Sequence, residues 1–173
     1  FIIEPKSGEL ASHLVGKGRM EEPEAIIAAL EDYFSTSLDY QGRRVLLTAG
    51  PTHEPIDPVR FIGNHSTGRM GIALANEFAR RGAEVTLILG PSSLRPREEV
   101  RVIPVTTAEE MLSQAEEVVG EVDLAIFAAA VADYRPRYTH SEKLKREGQE
   151  ELEISLVRNP DIAATLGAWK RPD

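Results

Sequence analysis

The stretch RRVLLTAGPTHEPIDPVRFIGNHSTGRMGIALANEFARRGAEVTLILGP, residues 43–91, decides the fold. Its opening, RRVLLTAG, is a short apolar run closed by Gly50, as expected of a buried strand. The loop that follows, PTHEPIDPVRFIGNHST, holds three prolines. They exclude an immediate helix, because proline lacks the amide hydrogen and clashes with the preceding turn. GRMGIALANEFARRG then places Met70, Ile72, Leu74, Ala75 and Phe78 largely on one side at helical spacing, and ends in a basic pair and Gly82. AEVTLILGP reads as a second buried strand.

Downstream, TTAEEMLSQAEEVVG predicts a helix capped by Thr106 or Thr107, with acids in its first turn. VDLAIFAAAVADY contains a third buried strand, and LEISLV a fourth with alternating character. NPDIAATLGAW starts a helix, with Asn159 as cap and Pro160 at the first helical position. Strand, helix, strand, helix, strand generates a parallel sheet through right-handed crossovers. The expected fold class is α/β: a doubly wound, mostly parallel, Rossmann-like, three-layer domain. Upstream, EEPEAIIAALEDYF favours a short helix and STSLDYQG a linker. Residues 1–20 are glycine-rich and short on helical or strand periodicity, and read as the end of something rather than its beginning.

Composition narrows the function. The 173 residues are 42% hydrophobic and 28% charged, which suits one globular domain with some extra terminal sequence. A formal charge of −8 argues against a general nucleic-acid binder, which needs a basic surface to displace phosphate counterions. No apolar run approaches the roughly 20 residues that span a bilayer, and no signal-peptide pattern opens the chain, so the expected location is the cytoplasm, away from membranes. With no cysteine, disulfides, thiolate metal sites and cysteine nucleophiles are excluded.

Open parallel sheets bind ligands at the carboxyl ends of their strands, which selects the loops 50–68, 90–97 and 129–146. A helix N-terminus attracts phosphate through its unpaired amides and partial positive charge. Glycines 63, 68 and 71 would let a ligand approach the backbone, while Asn64, Ser66 and Thr67 add side-chain donors. The alternative is that Ser66 or Thr67 caps the helix while Gly68 and Gly71 permit tight packing on the sheet. The loop is neither a Walker motif nor G-x-G-x-x-G. The second strand ends Leu89-Gly90-Pro91, without the acid that would hold a dinucleotide ribose, and neither Tyr134 nor Tyr138 has a lysine four residues later. Nicotinamide chemistry is therefore the runner-up, and a non-catalytic nucleotide-binding module is a further alternative.

Ala128, Ala129 and Ala130 leave room for a flat ring against the backbone, or else reflect helix–sheet packing. Asp133, at the strand end, could bind ribose or a magnesium ion carrying phosphates, or could serve as a surface or capping residue. Lys143 could neutralise phosphate or belong to a solvated face. His53 and His65 lie in the loops without a spacing that suggests zinc.

Together, TAGPTHEPIDPVRFIGNHSTGRMG, GAEVTLILGP, AAAVADYRP, EKLKR and LVRNPDI resemble the phosphopantothenoylcysteine synthetase domain of the bacterial bifunctional coenzyme A biosynthesis proteins. The resemblance covers residues 42–173 and implies a domain whose C-terminal part lies beyond this chain. Residues 1–41 resemble the tail of the flavin-dependent decarboxylase domain, followed by a helix and linker. The implied reaction joins 4′-phosphopantothenate and L-cysteine at the expense of CTP rather than ATP, through an acyl-cytidylate, with Mg2+ or Mn2+. FMN would belong to the decarboxylase domain alone. The resemblance assigns catalysis to Asn64, Arg60 and Lys143, nucleotide binding to Gly50, Ser66, Thr67, Gly68, Ala128, Ala129, Ala130, Asp133 and Lys143, and the metal to Asp133. It also implies a homodimer, and a higher oligomer for the full-length protein. The K-x-K-K run of that family is here Lys143-Leu144-Lys145-Arg146. Ser12 stands where the decarboxylase tail has its proton-donating cysteine, which puts decarboxylation in doubt because a hydroxyl is a much weaker acid than a thiol.

Overall fold

The computed structural model describes residues 2–9, 15–35, 38–145 and 151–169. The chain divides into two compact units, Phe1–Ser37 and Leu38–Asp173. In the first, β1 (Lys6–Glu9) pairs antiparallel with β2 (Val15–Arg19), and α1 (Pro23–Ser35) follows. Pro23 opens this helix, where its missing amide hydrogen costs nothing. The glycine-rich opening thus contains two strands that its weak periodicity does not announce. Ser12 and His13 lie outside the described residues.

The second unit is built on β3 (Arg44–Ala49), the first of the strands read from the sequence. A short hairpin of β4 (His53–Pro55) and β5 (Phe61–Gly63) leads to α2 (Arg69–Arg80) and β6 (Glu84–Leu89). β7 (Arg101–Pro104), α3 (Ala108–Val119), β8 (Leu124–Phe127), β9 (Tyr134–Pro136), β10 (Leu156–Arg158) and α4 (Ile162–Gly167) complete it. The main sheet has the order β7-β6-β3-β8 with every pairing parallel. The direction of strand addition therefore reverses beside β3, and a crevice opens there between the carboxyl ends of β3 and β8.

β3 is central, and Val45, Leu46, Leu47 and Ala49 are wholly buried because helices cover both faces. Val45, Leu47 and Ala49 pack with Ile72 and Ala75 of α2, while Leu46 packs with Met111 and Ala115 of α3 and Ile162 and Leu166 of α4. This is the expected three-layer, doubly wound architecture.

Five details depart from the sequence reading. RVIP is a sheet strand, β7, which makes LAIF the fourth; and β8 is half-buried at the sheet's end rather than fully buried. LEISLV contributes only Leu156 and Val157 to β10, which pairs antiparallel with β9 outside the main sheet. Met70 is 70% exposed, since it lies about 200° around the helix from Ile72, and Gly71 takes its place against the sheet. Asp161, not Asn159, caps α4, accepting the Ala164 amide at 2.9 Å. Asn159 is buried instead, with its Nδ2 donating to the Ala132 carbonyl at 2.7 Å. Thr107 caps α3 in a reciprocal box with Glu110, as one of the two expected threonines. Among the described residues no helix is long and apolar enough to cross a membrane.

Helix α2 lies so near β3 that a Cβ on Gly71 would sit 2.4 Å from the Ala49 Cβ. Gly71→Val is expected to lower the unfolding free energy by about 1–3 kcal/mol through overpacking. Gly120→Ala, where a Cβ meets nothing within 4 Å and φ is −63°, is expected to change it by less than about 1 kcal/mol. Urea denaturation of the two variants checks both.

Candidate functional site

The glycine loop owes its form to two backbones in close approach. Gly50 ends β3 at φ 82° and Gly68 precedes α2 at φ 74°, both in the left-handed region. A Cβ on Gly68 would lie 3.1 Å from the Gly50 nitrogen and Cα. Gly68 is also the N-cap, and no side chain caps the helix. That settles the capping alternative: Ser66 Oγ accepts the Gly68 amide at 3.2 Å, and the Thr67 carbonyl accepts Ser92 Oγ at 2.8 Å. The packing role of Gly68 and Gly71 is real, and it coexists with an α2 N-terminus that has no acid in its first turn.

Beyond β8 the chain runs on beside the residues that follow β3. The Ala130 amide donates to the Gly50 carbonyl at 2.8 Å, Pro51 bridges Ala130 in parallel, and buried Thr52 Oγ1 accepts the Ala132 amide at 3.0 Å. Asn64 reaches across from the end of the hairpin. Its Nδ2 donates to the carbonyls of Ala130 at 3.0 Å and Val131 at 3.2 Å, which fastens the glycine loop to the alanine segment. Gly50, Asn64, Ser66–Gly68 and Ala130 therefore meet at the crevice between β3 and β8.

On the other side of the same segment lies a cavity of about 300 Å³ whose lining includes Ala129, Asp133, Asn159 and Asp161. Ala129 and Val131 face this α3–α4 side. Asn159 shapes its wall: its backbone amide donates to the Asp133 carbonyl at 2.8 Å, and its Oδ1 accepts Arg135 Nη1 at 3.2 Å. The Asp133 carboxylate is exposed. Asn64, Arg60, Lys143 and the 66–68 loop do not line this cavity. A larger cavity, of about 600 Å³, is lined by Arg43, Arg44, Leu124 and Trp169 among others, shares only Phe127 with the smaller one, and contains none of the predicted residues.

Arg60 and Lys143 form a second group. The Arg60 guanidinium pairs with Asp57 and donates from Nη2 to the Leu144 carbonyl at 3.0 Å. Lys143, next to Leu144, is exposed, as is Lys145, and Arg146 lies outside the described residues. The Arg60 guanidinium, joined by the amides of Val59, Leu144 and Arg60, holds the Asp57 carboxyl well below the usual carboxylate range against the opposing effect of burial. His53 stacks on Phe61 with ring centroids 3.7 Å apart, and His65 is exposed. Among the described residues no group of three or more His, Asp or Glu side chains is arranged to hold a metal. A divalent ion in the smaller cavity would find two carboxylates in its lining, Asp133 and Asp161, the second already accepting the Ala164 amide, and would complete its shell with ligand phosphates and water, the usual manner of magnesium.

Asp57 and Thr52 do not stand out in the sequence, and Asn159 does so only as a helix cap, although each shapes the site. Asp57-Pro58-Val59-Arg60 carries a turn signal, an Asx residue two and three positions before the amides it accepts. Thr52 carries no comparable local signal, and the capping signal of Asn159 points to a role other than the one it has.

A parallel sheet with a glycine-lined crevice at its reversal point, and a helix without a side-chain cap starting there, defines an α/β domain of the doubly wound class. Residues 40–173 match the family described as DNA/pantothenate metabolism flavoprotein C-terminal domain, and the chain belongs to that family. It is 48% identical over 169 residues to the coenzyme A biosynthesis bifunctional protein CoaBC of Haemophilus influenzae, covering 98% of this chain and 42% of that one. It is 55% identical over 175 residues to a protein named cysteine/cysteine sulfinic acid decarboxylase from an unknown prokaryotic organism, covering 98% and 48%. The crystal structure of the C-terminal domain of a CoaBC superposes with a TM-score of 0.68 at 44% identity, covering 78% of this chain and 63% of that one. The chain thus spans less than half the length of these two curated relatives.

A carboxylate held below its ordinary pKa stabilises the fold above the unfolded pKa, about 3.9 for aspartate, and that contribution is lost as pH falls through the folded value. Asp57→Asn removes this group. The stability difference between wild type and Asp57→Asn, measured by denaturant unfolding, is expected to be constant from neutral pH down to about pH 4 and to shrink below it.

Proposed function

We propose that this chain is the synthetase part of a bifunctional coenzyme A biosynthesis protein, ligating 4′-phosphopantothenate to L-cysteine with CTP. The observation that carries the reading is the lacing of Asn64 to the Ala130 and Val131 carbonyls beside the Gly50–Gly68 approach. It places a carboxamide, a helix N-terminus and a small-residue wall around one crevice, and membership of the family supports the same substrates.

A carboxylate is a poor acyl electrophile because its charge repels an attacking amine. In the proposed first step, an oxygen of the 4′-phosphopantothenate carboxylate bonds to the α-phosphorus of CTP and pyrophosphate leaves. In the second, the cysteine amine bonds to the acyl carbon, CMP leaves with the bonding pair, and the amine gives up a proton. Both steps gather negative charge on oxygen, so fixed donors supply most of the help. The amides at the start of α2, with Ser66, Thr67 and Gly68, would face the phosphates, and Lys143 would add a cation. Ala128–Ala130 would lie along the base. Asn64 has its amide hydrogens on two carbonyls, so donating to the acyl oxygen requires exchanging one of those bonds, the longer one to Val131 being the weaker. Mg2+ or Mn2+, when bound at Asp133 across the alanine segment from the 66–68 loop, would neutralise the charge of phosphates that reach past the end of that segment.

In the full-length protein we place this unit in the cytoplasm as a homodimer, within a larger oligomer that includes an FMN-dependent decarboxylase domain. The name of the relative at 55% identity supports decarboxylation as a companion activity. Ser12 predicts that it is weak or proceeds without a cysteine proton donor. Assaying CO2 release by the longer protein, beside its Ser12→Cys variant, separates the two.

Calorimetric titration in magnesium buffer is expected to show saturable CTP binding and much weaker ATP binding; equal binding of both, or NAD(P)H binding in their place, would overturn the assignment. Asn64→Asp is expected to keep pyrophosphate release while amide formation falls by about 10²–10³-fold, the range seen when one such donor is lost. The acyl-cytidylate should then accumulate and be detectable by mass spectrometry. Equal loss of both steps would remove Asn64 from the second.

A further inference from the structure

The side chain of Asp57 is fully buried, and its two oxygens serve different partners. Oδ1 accepts the backbone amides of Val59 and Arg60, each at 2.8 Å, and closes the turn that joins β4 to β5. Oδ2 accepts Nε of Arg60 at 3.0 Å, the Arg60 Nη2, and the backbone amide of Leu144 at 3.1 Å. Arg60 Nη2 in turn donates to the Leu144 carbonyl, so both polar groups of the Leu144 backbone are held by one ion pair. Two more bonds hang the same segment on the hairpin: Thr139 Oγ1 donates to the Pro55 carbonyl at 3.1 Å, and the His140 amide to the Ile56 carbonyl at 2.9 Å.

We infer that Asp57 is a positioning residue: through Oδ2 it clamps Leu144 onto the hairpin, completing the hold begun at Thr139 and His140, and thereby fixes Lys143 relative to Arg60 and Asn64. The Asp57 side chain faces no solvent, so it acts through the backbone it holds. Its effect is to order, before any ligand arrives, a stretch of backbone that would otherwise be ordered on binding at about 1–2 kcal/mol per residue. A lysine on a fixed backbone contributes more of its charge attraction to net affinity than one on a wandering loop. The inference deepens the synthetase reading and rests on it only for the identity of the phosphate-bearing ligand that Lys143 meets.

The two oxygens can be separated by experiment. Asp57→Asn supplies one acceptor oxygen in place of two, so it can keep the Val59–Arg60 turn but cannot also accept the Leu144 amide and the guanidinium. Hydrogen exchange of the full chain is expected to show the Leu144 amide exchanging at least about tenfold faster in Asp57→Asn, the equivalent of one charge-assisted bond, with the Val59 and Arg60 amides still protected. Titration with CTP and magnesium, well below the unfolding temperature, is expected to show affinity about tenfold weaker. A folded Asp57→Asn with wild-type protection at Leu144 overturns the clamp, and release of Leu144 with unchanged CTP affinity overturns its positioning role. Wild type that binds no CTP either as this chain or in a longer protein carrying the rest of the domain sinks the synthetase reading and leaves the clamp to be decided by exchange alone. If Asp57→Asn does not fold, wild type decides: protection at Leu144 well above that at Glu142 and Lys143 supports the clamp, and equal exchange rates overturn it.

Discussion

Everything at the carboxyl end of the sheet follows from the contact between the backbones of Gly50 and Gly68. With no side chain between them, α2 can begin directly over the end of β3, and Gly71 presses against Ala49 one turn further on. The 17 residues between the two glycines must then leave the sheet and return to nearly the same point. They do so as a hairpin, β4 and β5, which projects beyond the strand ends and brings Asn64 back over the alanine segment. A side chain at Gly68 would push the helix away from Gly50, and one at Gly50 would run into the backbone of Gly90, so the crevice would lose both its floor and its aim.

The wall of the site is held by buried polar groups rather than by apolar packing. Thr52, Glu54, Asp57 and Asn159 are buried, and each bonds to backbone far away in the chain: Ala132, Ala108, Leu144 and Ala132 again. Leaving any one of these groups unpaired would cost about 1–3 kcal/mol. Among the described residues no buried side-chain polar atom lacks a partner. The loops around the crevice are therefore pinned at discrete points, each coupling a residue of the hairpin region or of α4's approach to a distant stretch.

What could be read in advance was what is local. β3, β6, α2 and α3 announce themselves through apolar runs, helical spacing and the Thr107–Glu110 box, and the glycine loop stands out because its peculiarity lies within nine consecutive residues. β7 did not, because RVIP is four residues beside a long polar loop, too short for a pattern to emerge. Asn159 and Asp161 are both competent caps, and the choice between them is made by the Ala132 carbonyl, which takes the asparagine amide. Asp57 escaped for a similar reason: its outer oxygen serves an amide 87 residues away, a pairing that no local rule foresees. The resemblance to a family reached Asn64, Arg60 and Lys143 but not the side chains that hold them.

The central place of β3 also has a consequence in time. Its first partner, β6, follows after one helix, but its second is β8, and the bond from the Arg44 amide to Asp123 spans 79 residues. At a synthesis rate of about 5–20 residues per second, one edge of the most buried of the described strands is without its partner for several seconds on the ribosome. During that interval α2 can already cover one face of β3, whereas α3, which covers the other, is still being made. A nascent chain stalled between β6 and β8 would therefore display an open strand edge and a bare apolar face together, the form most apt to recruit a chaperone or to pair with a neighbouring chain.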